Sequence, residues 1–300
     1  MNATHRLHRR AKFRYRWRSR GSAYLFMLPW MIGFGAFMAF PIGWSLYLAF
    51  PKVKLTGSGS FAYQFVGLQN FRDAVLKDNE YPVEVLSFFQ QMVLMLPIII
   101  VFSLLVALML NQKFKGRFIY RAIFFLPVIF SAGQVLTELF QQGAGSVPFL
   151  SQYGVDAYIR ERFSPAMAAT LTELLGMMIL ILWSSGVQIL IFIAGFQTIP
   201  KSIYEAVRID GASPWASFWK ITLPGVKPFI GLNLLYTTVD LFTFPFNPVM
   251  EQIKLNMFNV STGYGYASAL AWLYFLLIVV LIALILWFLN RSGRNKGEWA

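Results

Sequence analysis

The chain has 300 residues, 57% of them hydrophobic and only 13% charged, and its mean hydropathy is +0.56. Together with several apolar runs of membrane-spanning length, this excludes a water-soluble globule. There is no cysteine, which rules out disulfides, thiolate nucleophiles and metal or iron–sulfur sites held by thiolates, and the net charge of +13 needs a location before it means anything.

Eight of the 26 Lys and Arg residues crowd into the first twenty positions, from Arg6 to Arg20. Basic residues beside a membrane span are retained on the cytoplasmic side, where acidic lipid headgroups attract them. Residues 1–21 therefore read as a cytoplasmic tail that orients the chain, and no nucleic-acid partner is expected. The apolar run that follows stays uncharged to Pro51 and has no compelling small-residue cleavage site, so a retained span is expected in place of a signal peptide.

Matching charge-poor runs to the roughly 17–25 residues a crossing helix needs predicts six spans, near 22–50, 86–111, 120–141, 170–197, 226–248 and 266–290. The third carries Pro127 and is followed by Glu138; proline is tolerated in a membrane helix where neighbours satisfy the freed carbonyl. With both termini in the cytoplasm, 19 of the 26 basic residues fall on the inner side. The seven outer ones are offset by Asp73, Asp78, Glu80, Glu84, Asp156, Glu161 and Glu251. The expected fold class is all-α, a polytopic membrane protein. No internal repeat or low-complexity linker interrupts it, so 22–290 reads as one membrane domain with a short cytoplasmic tail at 291–300.

The outer connections are more than turns. Leu68, Phe71 and Val75 stand at i, i+3 and i+7, the apolar stripe of a short interfacial helix. The loop from Gly143 to Pro165 has room for another.

Catalytic chemistry is absent from the pattern. The two histidines, His5 and His8, both lie in the basic tail, so no Ser/His/Asp arrangement or histidine metal site can form at membrane depth. No GxxxxGK[ST] phosphate loop is present. Asp240 is the one ionisable residue placed well inside a span, which does not favour a proton- or sodium-coupled carrier. Energy for uphill transport would arrive from another subunit.

The stretch from Pro200 to Pro224, PKSIYEAVRIDGASPWASFWKITLP, is a charged, glycine-centred segment between two apolar runs. Pro200 disfavours helix at Ile199 and marks the end of the fourth span. Lys201 to Asp210 can form a short helix with Ile203, Ala206, Val207 and Ile209 facing the membrane domain or a partner. Gly211 suits the left-handed position after a helix end. Ser213 can cap a second helix, Pro214 fits its first turn, and Pro224 is expected to stop it. Two short helices meeting at a glycine bend would seat in a groove on a soluble partner and carry rigid-body motion.

This segment resembles the EAA loop of ATP-binding-cassette importer permeases, whose pattern runs roughly EAAxxDGAxxxxxFxxIxLPxxxP. Glu205, Ala206, Asp210, Gly211, Ala212, Phe218, Ile221, Leu223, Pro224 and Pro228 fall in register, with Val207 in place of the second alanine. WSSGVQILIFIAGFQTIP before the loop, GRFIYRAIFFLPVI after the second span and VGLQNFRDAV in the first outer connection are similar to the carbohydrate, maltose-type permeases. The resemblance implies the type I importer permease fold, a sister permease, two cytoplasmic ATPase subunits that bind ATP and magnesium, and an extracytoplasmic solute-binding protein. It implies that Glu205, Ala206, Asp210 and Gly211 lie at the ATPase contact, with Leu223 and Pro224 ending the coupling segment. No cofactor, metal or catalytic residue is expected in this chain. Many sugar permeases have a Gly-Gly-Pro-rich stretch after the fifth span; here FPFNPVMEQIKLNMFNVSTGYGYASALAW replaces it, which favours an oligosaccharide over a small sugar.

On the fifth span, Asn233, Tyr236, Thr237 and Asp240 stand at i, i+3, i+4 and i+7, within one helix face. A polar stripe faces the bundle interior in preference to lipid, where it can either line the solute path or hydrogen-bond neighbouring helices. Trp183, Gln188 and Tyr274 are weaker candidates for the path. The alternatives are a permease for glycerol phosphate or another polyol derivative, which calls for cations along the path, and a membrane enzyme acting on lipid-linked sugars, which calls for gathered carboxylates or a metal.

Overall fold

An apolar run in lipid can satisfy its peptide groups only within a helix or a closed barrel, and the computed structural model, which describes residues 25–55, 60–130, 154–244 and 247–294, is predominantly helical. Helix α1 (Leu25–Leu48) contains a π-helical turn at Gly35–Ala39. A hairpin of β1 (Pro51–Leu55) and β2 (Phe61–Phe65) follows, then α2 (Gln69–Leu76), α3 (Tyr81–Asn111) and α4 (Arg117–Phe130). Next come α5 (Val155–Arg162), α6 (Pro165–Trp183) and α7 (Gly186–Gln197). The remainder holds α8 (Lys201–Ile209), α9 (Pro214–Ser217), a π turn at Phe218–Thr222, α10 (Leu223–Gly225), α11 (Lys227–Phe242), α12 (Pro248–Phe258) and α13 (Gly263–Arg294).

Three described helices are long and apolar enough to cross a membrane: Leu25–Leu48, Tyr81–Asn111 and Gly263–Arg291. The pair Gly186–Gln197 and Lys201–Ile209, bent by 65° at Pro200, makes a fourth when taken as one span. The basic tail 1–21 and the part of the third expected span beyond residue 130, with Glu138, lie outside the described residues. The expected fourth span, 170–197, is interrupted at Ser184 and Ser185, where the Ser185 hydroxyl turns back to donate to the Leu182 carbonyl at 2.9 Å. A serine hydroxyl offers the backbone a local alternative to the helix ladder, which hydropathy does not register. The fifth, 226–248, is shorter than expected, since α11 ends at Phe242.

The all-α expectation needs one correction. The connection between the first two expected spans contains an antiparallel hairpin in which Pro51 faces Phe65, Val53 faces Tyr63 and Leu55 faces Phe61. Its alternating Lys52, Val53 and Lys54 and the turn-forming sequence TGSGS between the strands explain it. The short helices expected in the two outer connections are present as α2 and α5.

By packing, the described residues fall into two units, one within 1–79 and 253–273 and the other within 80–252 and 274–300. In the first, Asn70 is buried and donates from Nδ2 to the carbonyls of Ala49 (2.9 Å) and Pro51 (3.0 Å), tying α2 to the end of α1 and the start of the hairpin. Trp272 Nε1 donates to Ser45 Oγ at 3.3 Å and the Tyr266 hydroxyl donates to Asp78 Oδ2 at 2.6 Å. In the second, Ile100, Leu104, Ala107 and Leu110 of α3 meet Ile189, Phe192, Ile193 and Phe196 of α7, with Val226 closing the cluster. A glycine lets α11 and α13 approach closely, as small residues do between membrane helices: a Cβ added at Gly231 would lie 3.1 Å from Leu289 Cδ1.

Candidate coupling site

The segment Pro200–Pro224 is built by residues that act within a few positions of themselves. Pro200 is extended (φ −60°, ψ 138°) and opens α8. Gly211 adopts φ +75°, its N–H donates to the Arg208 carbonyl, and the Ala212 N–H donates to the Val207 carbonyl, each at 3.2 Å. Those two bonds form a complete Schellman ending, which requires the left-handed residue that glycine supplies. Ser213 then caps α9, its hydroxyl accepting from the Ala216 N–H at 3.2 Å with Pro214 in the first turn. The expected pair of helices at a glycine bend is present, with one difference. Pro224 does not stop the second helix; it occupies the first turn of α10, where its missing N–H costs nothing, and the turn ends at Val226.

The tip and the base of this knob contrast sharply. Glu205, Ala206, Asp210 and Gly211 are exposed, Ile209 is 86% exposed and Trp215 is 70% exposed. Trp215, Phe218 and Trp219 pack on one another with ring centroids 5.2–6.3 Å apart, Trp215 stacked on Phe218 and Trp219 edge-on to both. At the base, Ile199, Phe218 and Leu223 pack against the cluster that contains Phe196 and buried Val226. Gly225 admits Ile199 so closely that a Cβ there would lie 2.8 Å from its Cδ1. A load on the tip therefore reaches α7 and α11 through packed side chains. Leu223 is half-buried and packs on the core at the base, while Pro224 is exposed.

The polar stripe of α11 is split. Asn233 and Thr237 are fully buried: Asn233 Nδ2 donates to the Gln188 carbonyl (3.2 Å), and Gln188 Nε2 donates to the Thr237 hydroxyl (3.1 Å). These three residues join α7 to α11. Tyr236, 37% exposed, and half-buried Asp240 remain on the open side of the helix. Trp183 is half-buried at the end of α6, five residues before Gln188. Tyr274 is buried, its hydroxyl donating to the Phe242 carbonyl (3.0 Å) and accepting from Asn247 Nδ2 (2.6 Å). Sequence reasoning did not find Tyr204, Thr222 or the exposed Trp215; the last was visible as a tryptophan in an otherwise polar bend. Among the described residues, no three His, Asp or Glu side chains gather where they could hold a metal.

The family model for the binding-protein-dependent transport system inner membrane component matches residues 74–295. A probable ABC transporter permease protein YesP of Bacillus subtilis is 33% identical, over 88% of this chain and 89% of that protein. The arabinooligosaccharides transport system permease protein AraP of the same organism is 29% identical over 93% and 91% of the two chains. A solved bacterial alginate ABC transporter in complex with an alginate pentasaccharide-bound periplasmic protein shares the fold, with a TM-score of 0.61 at 20% identity over 94% of this chain and 96% of that one. The chain belongs to the family of binding-protein-dependent transport system inner membrane components, the permeases of ATP-binding-cassette importers.

Proposed function

We propose that this chain is one permease subunit of an ATP-driven importer for a carbohydrate, in particular an oligosaccharide. The observation that carries the reading is the knob at Pro200–Pro224, exposed at its tip and rooted in the helix core at its base. In this reading the chain spans six times with both termini in the cytoplasm, as the bias of its basic residues supports, and the knob lies on the inner face within reach of a cytoplasmic ATPase. Two ATPase subunits, holding ATP and magnesium themselves, close on hydrolysable nucleotide and rock this chain against a sister permease. The bundle thereby alternates its access from one side to the other.

An oligosaccharide is supported by the kinship with AraP and by the outer sequence after the fifth span. Tyr236 and Asp240 line the path, since they stand on the open side of α11 and offer an aromatic face and a hydrogen-bonding carboxylate. The first unit gathers the hairpin, α2 and residues 253–262, which lie outside if the chain spans six times with its termini in the cytoplasm. Its polar cavity of about 310 Å³, lined by Lys52, Asp73, Lys77, Asp78 and Tyr266 among others, supports an extracytoplasmic binding protein as partner.

The test is co-purification with the sister permease and ATPase, comparing the native chain with Glu205→Lys and Gly211→Pro. Proline cannot adopt φ +75°, so the second change removes the bend. Capture of the ATPase by the native chain and its loss from both well-folded variants establishes the dock; no capture by the native chain in any membrane background overturns the reading.

A further inference from the structure

The two arms of the knob are α8 and the run from Pro214 to Gly225. The bonds at Gly211 and Ser213 shape the bend but act only within it. Farther down, the Tyr204 hydroxyl on the first arm and the Thr222 hydroxyl on the second lie 3.0 Å apart, a side-chain hydrogen bond spanning 18 residues of sequence. We propose that this bond is a strut that makes both arms move as one body, so that Tyr204 and Thr222 are positioning residues for ATP-driven transport. The inference rests on the knob being the ATPase dock.

Three observations place the strut where it matters. Thr222 is buried and ends the π turn Phe218–Thr222. A π turn is wider and more weakly held than the α-helix around it, and is the point at which the second arm would give way under load. The Thr222 hydroxyl also lies 3.5 Å from the Ser217 carbonyl across that same turn, at the outer limit of a hydrogen bond, so its short partner is Tyr204. Finally, Tyr204 directly precedes Glu205, and Thr222 directly precedes Leu223, which packs on the core beside Val226. Force that enters at Glu205 has two routes inward: along α8 to Ile199 and α7, and across the strut to Leu223 and α11. Without the strut only the first remains direct, and the arms can splay.

The chain has no cysteine, so two introduced thiols are unique within the subunit. Spin labels at Arg208→Cys and Lys220→Cys, one exposed position on each arm, report the spacing of the arms in the full complex with sister permease and ATPase in nanodiscs. The complex is measured nucleotide-free and trapped with ATP and vanadate. With both hydroxyls present, the distance distribution stays narrow and unshifted between the two states. Tyr204→Phe and Thr222→Val, which keep the side-chain shapes, each raise the splayed population about fivefold, the weight of one net hydrogen bond. The double variant adds nothing further, and Thr222→Ser restores the narrow distribution. Unchanged distributions in both single variants, additive effects in the double, or no rescue by serine overturn the strut. ATPase capture is scored on the same preparations: a native complex that captures the ATPase while the variants stay narrow refutes the strut alone, whereas a native chain that captures none refutes the dock.

Discussion

Gln188 and Thr237, sealed from solvent on α7 and α11, share a hydrogen bond of 3.1 Å from the amide nitrogen to the hydroxyl. The Gln188 carbonyl at the same level accepts from Asn233. Between membrane helices there is no hydrophobic drive to associate, so such bonds and close packing carry the contact. Thr237→Val keeps the volume and strands the Gln188 donor; the expected cost is about 1–2 kcal/mol. Adding Gln188→Leu recovers part of it, because two apolar groups are cheaper than one unpaired donor. Thermal unfolding of the purified subunit in detergent measures both, and equal stability of Thr237→Val and native protein would contradict the assignment.

Asp240 answers differently, because it stands on the open side of the same helix beside Tyr236. Asp240→Asn and Asp240→Ala are expected to leave assembly with the sister permease and ATPase intact while lowering import. The loss for alanine is roughly tenfold or more, the weight of a hydrogen bond to a charged group. Uptake of a panel of labelled oligosaccharides into cells checks this. Normal uptake by both variants would remove Asp240 from the path and leave the stripe a helix-packing feature throughout.

The contrast between these two pairs marks what could be read from sequence. Periodicity put Asn233, Tyr236, Thr237 and Asp240 on one face, yet their division between burial and exposure depends on Gln188, about 45 residues upstream, which no local pattern supplies. The knob was legible because Pro200, Gly211 and Ser213 act on their own neighbours, through fixed φ, left-handed φ and a side-chain cap. Pro224 misled because proline signals a stop only within a helix; in a first turn it is accommodated. The break at Ser184 and Ser185 was hidden for a related reason, since a hydroxyl returning to Leu182 interrupts a helix without lowering the hydropathy of the run. The Tyr204–Thr222 pair joins two arms whose relative placement follows from the Gly211 bend, and so is visible only once that bend is built.

Gly195 sits where the root of the knob meets α11, and a Cβ there would lie 2.7 Å from Phe229 Cγ and 2.8 Å from its Cδ2. Those atoms belong to the inner part of the ring and cannot swing aside as a flexible tip would. Gly195→Ala is expected to destabilise the subunit by about 1–3 kcal/mol, as overpacking does. Phe229→Leu, combined with it, should restore much of the loss by removing the ring. A melting temperature for Gly195→Ala equal to that of the native protein would mean that α7 and α11 are less tightly packed than the geometry gives.

Asn70 provides the sharpest test of the first unit. Its amide nitrogen has two donors and spends them on the carbonyls of Ala49 and Pro51, fixing the chain as it leaves α1 and enters the hairpin. Asn70→Ala leaves both carbonyls without that partner, at an expected cost of about 1–3 kcal/mol. Asn70→Asp is nearly the same size but replaces the donors with a charged acceptor that faces two carbonyl oxygens, so it should cost more than alanine does. The ordering is what matters, because a site governed by shape alone would rank aspartate as the milder change. Limited proteolysis of membranes from the outer side, scored by cleavage between Phe50 and Phe71, should rise in the order native, alanine, aspartate. Aspartate cleaved no faster than alanine would show that the two carbonyls find other donors.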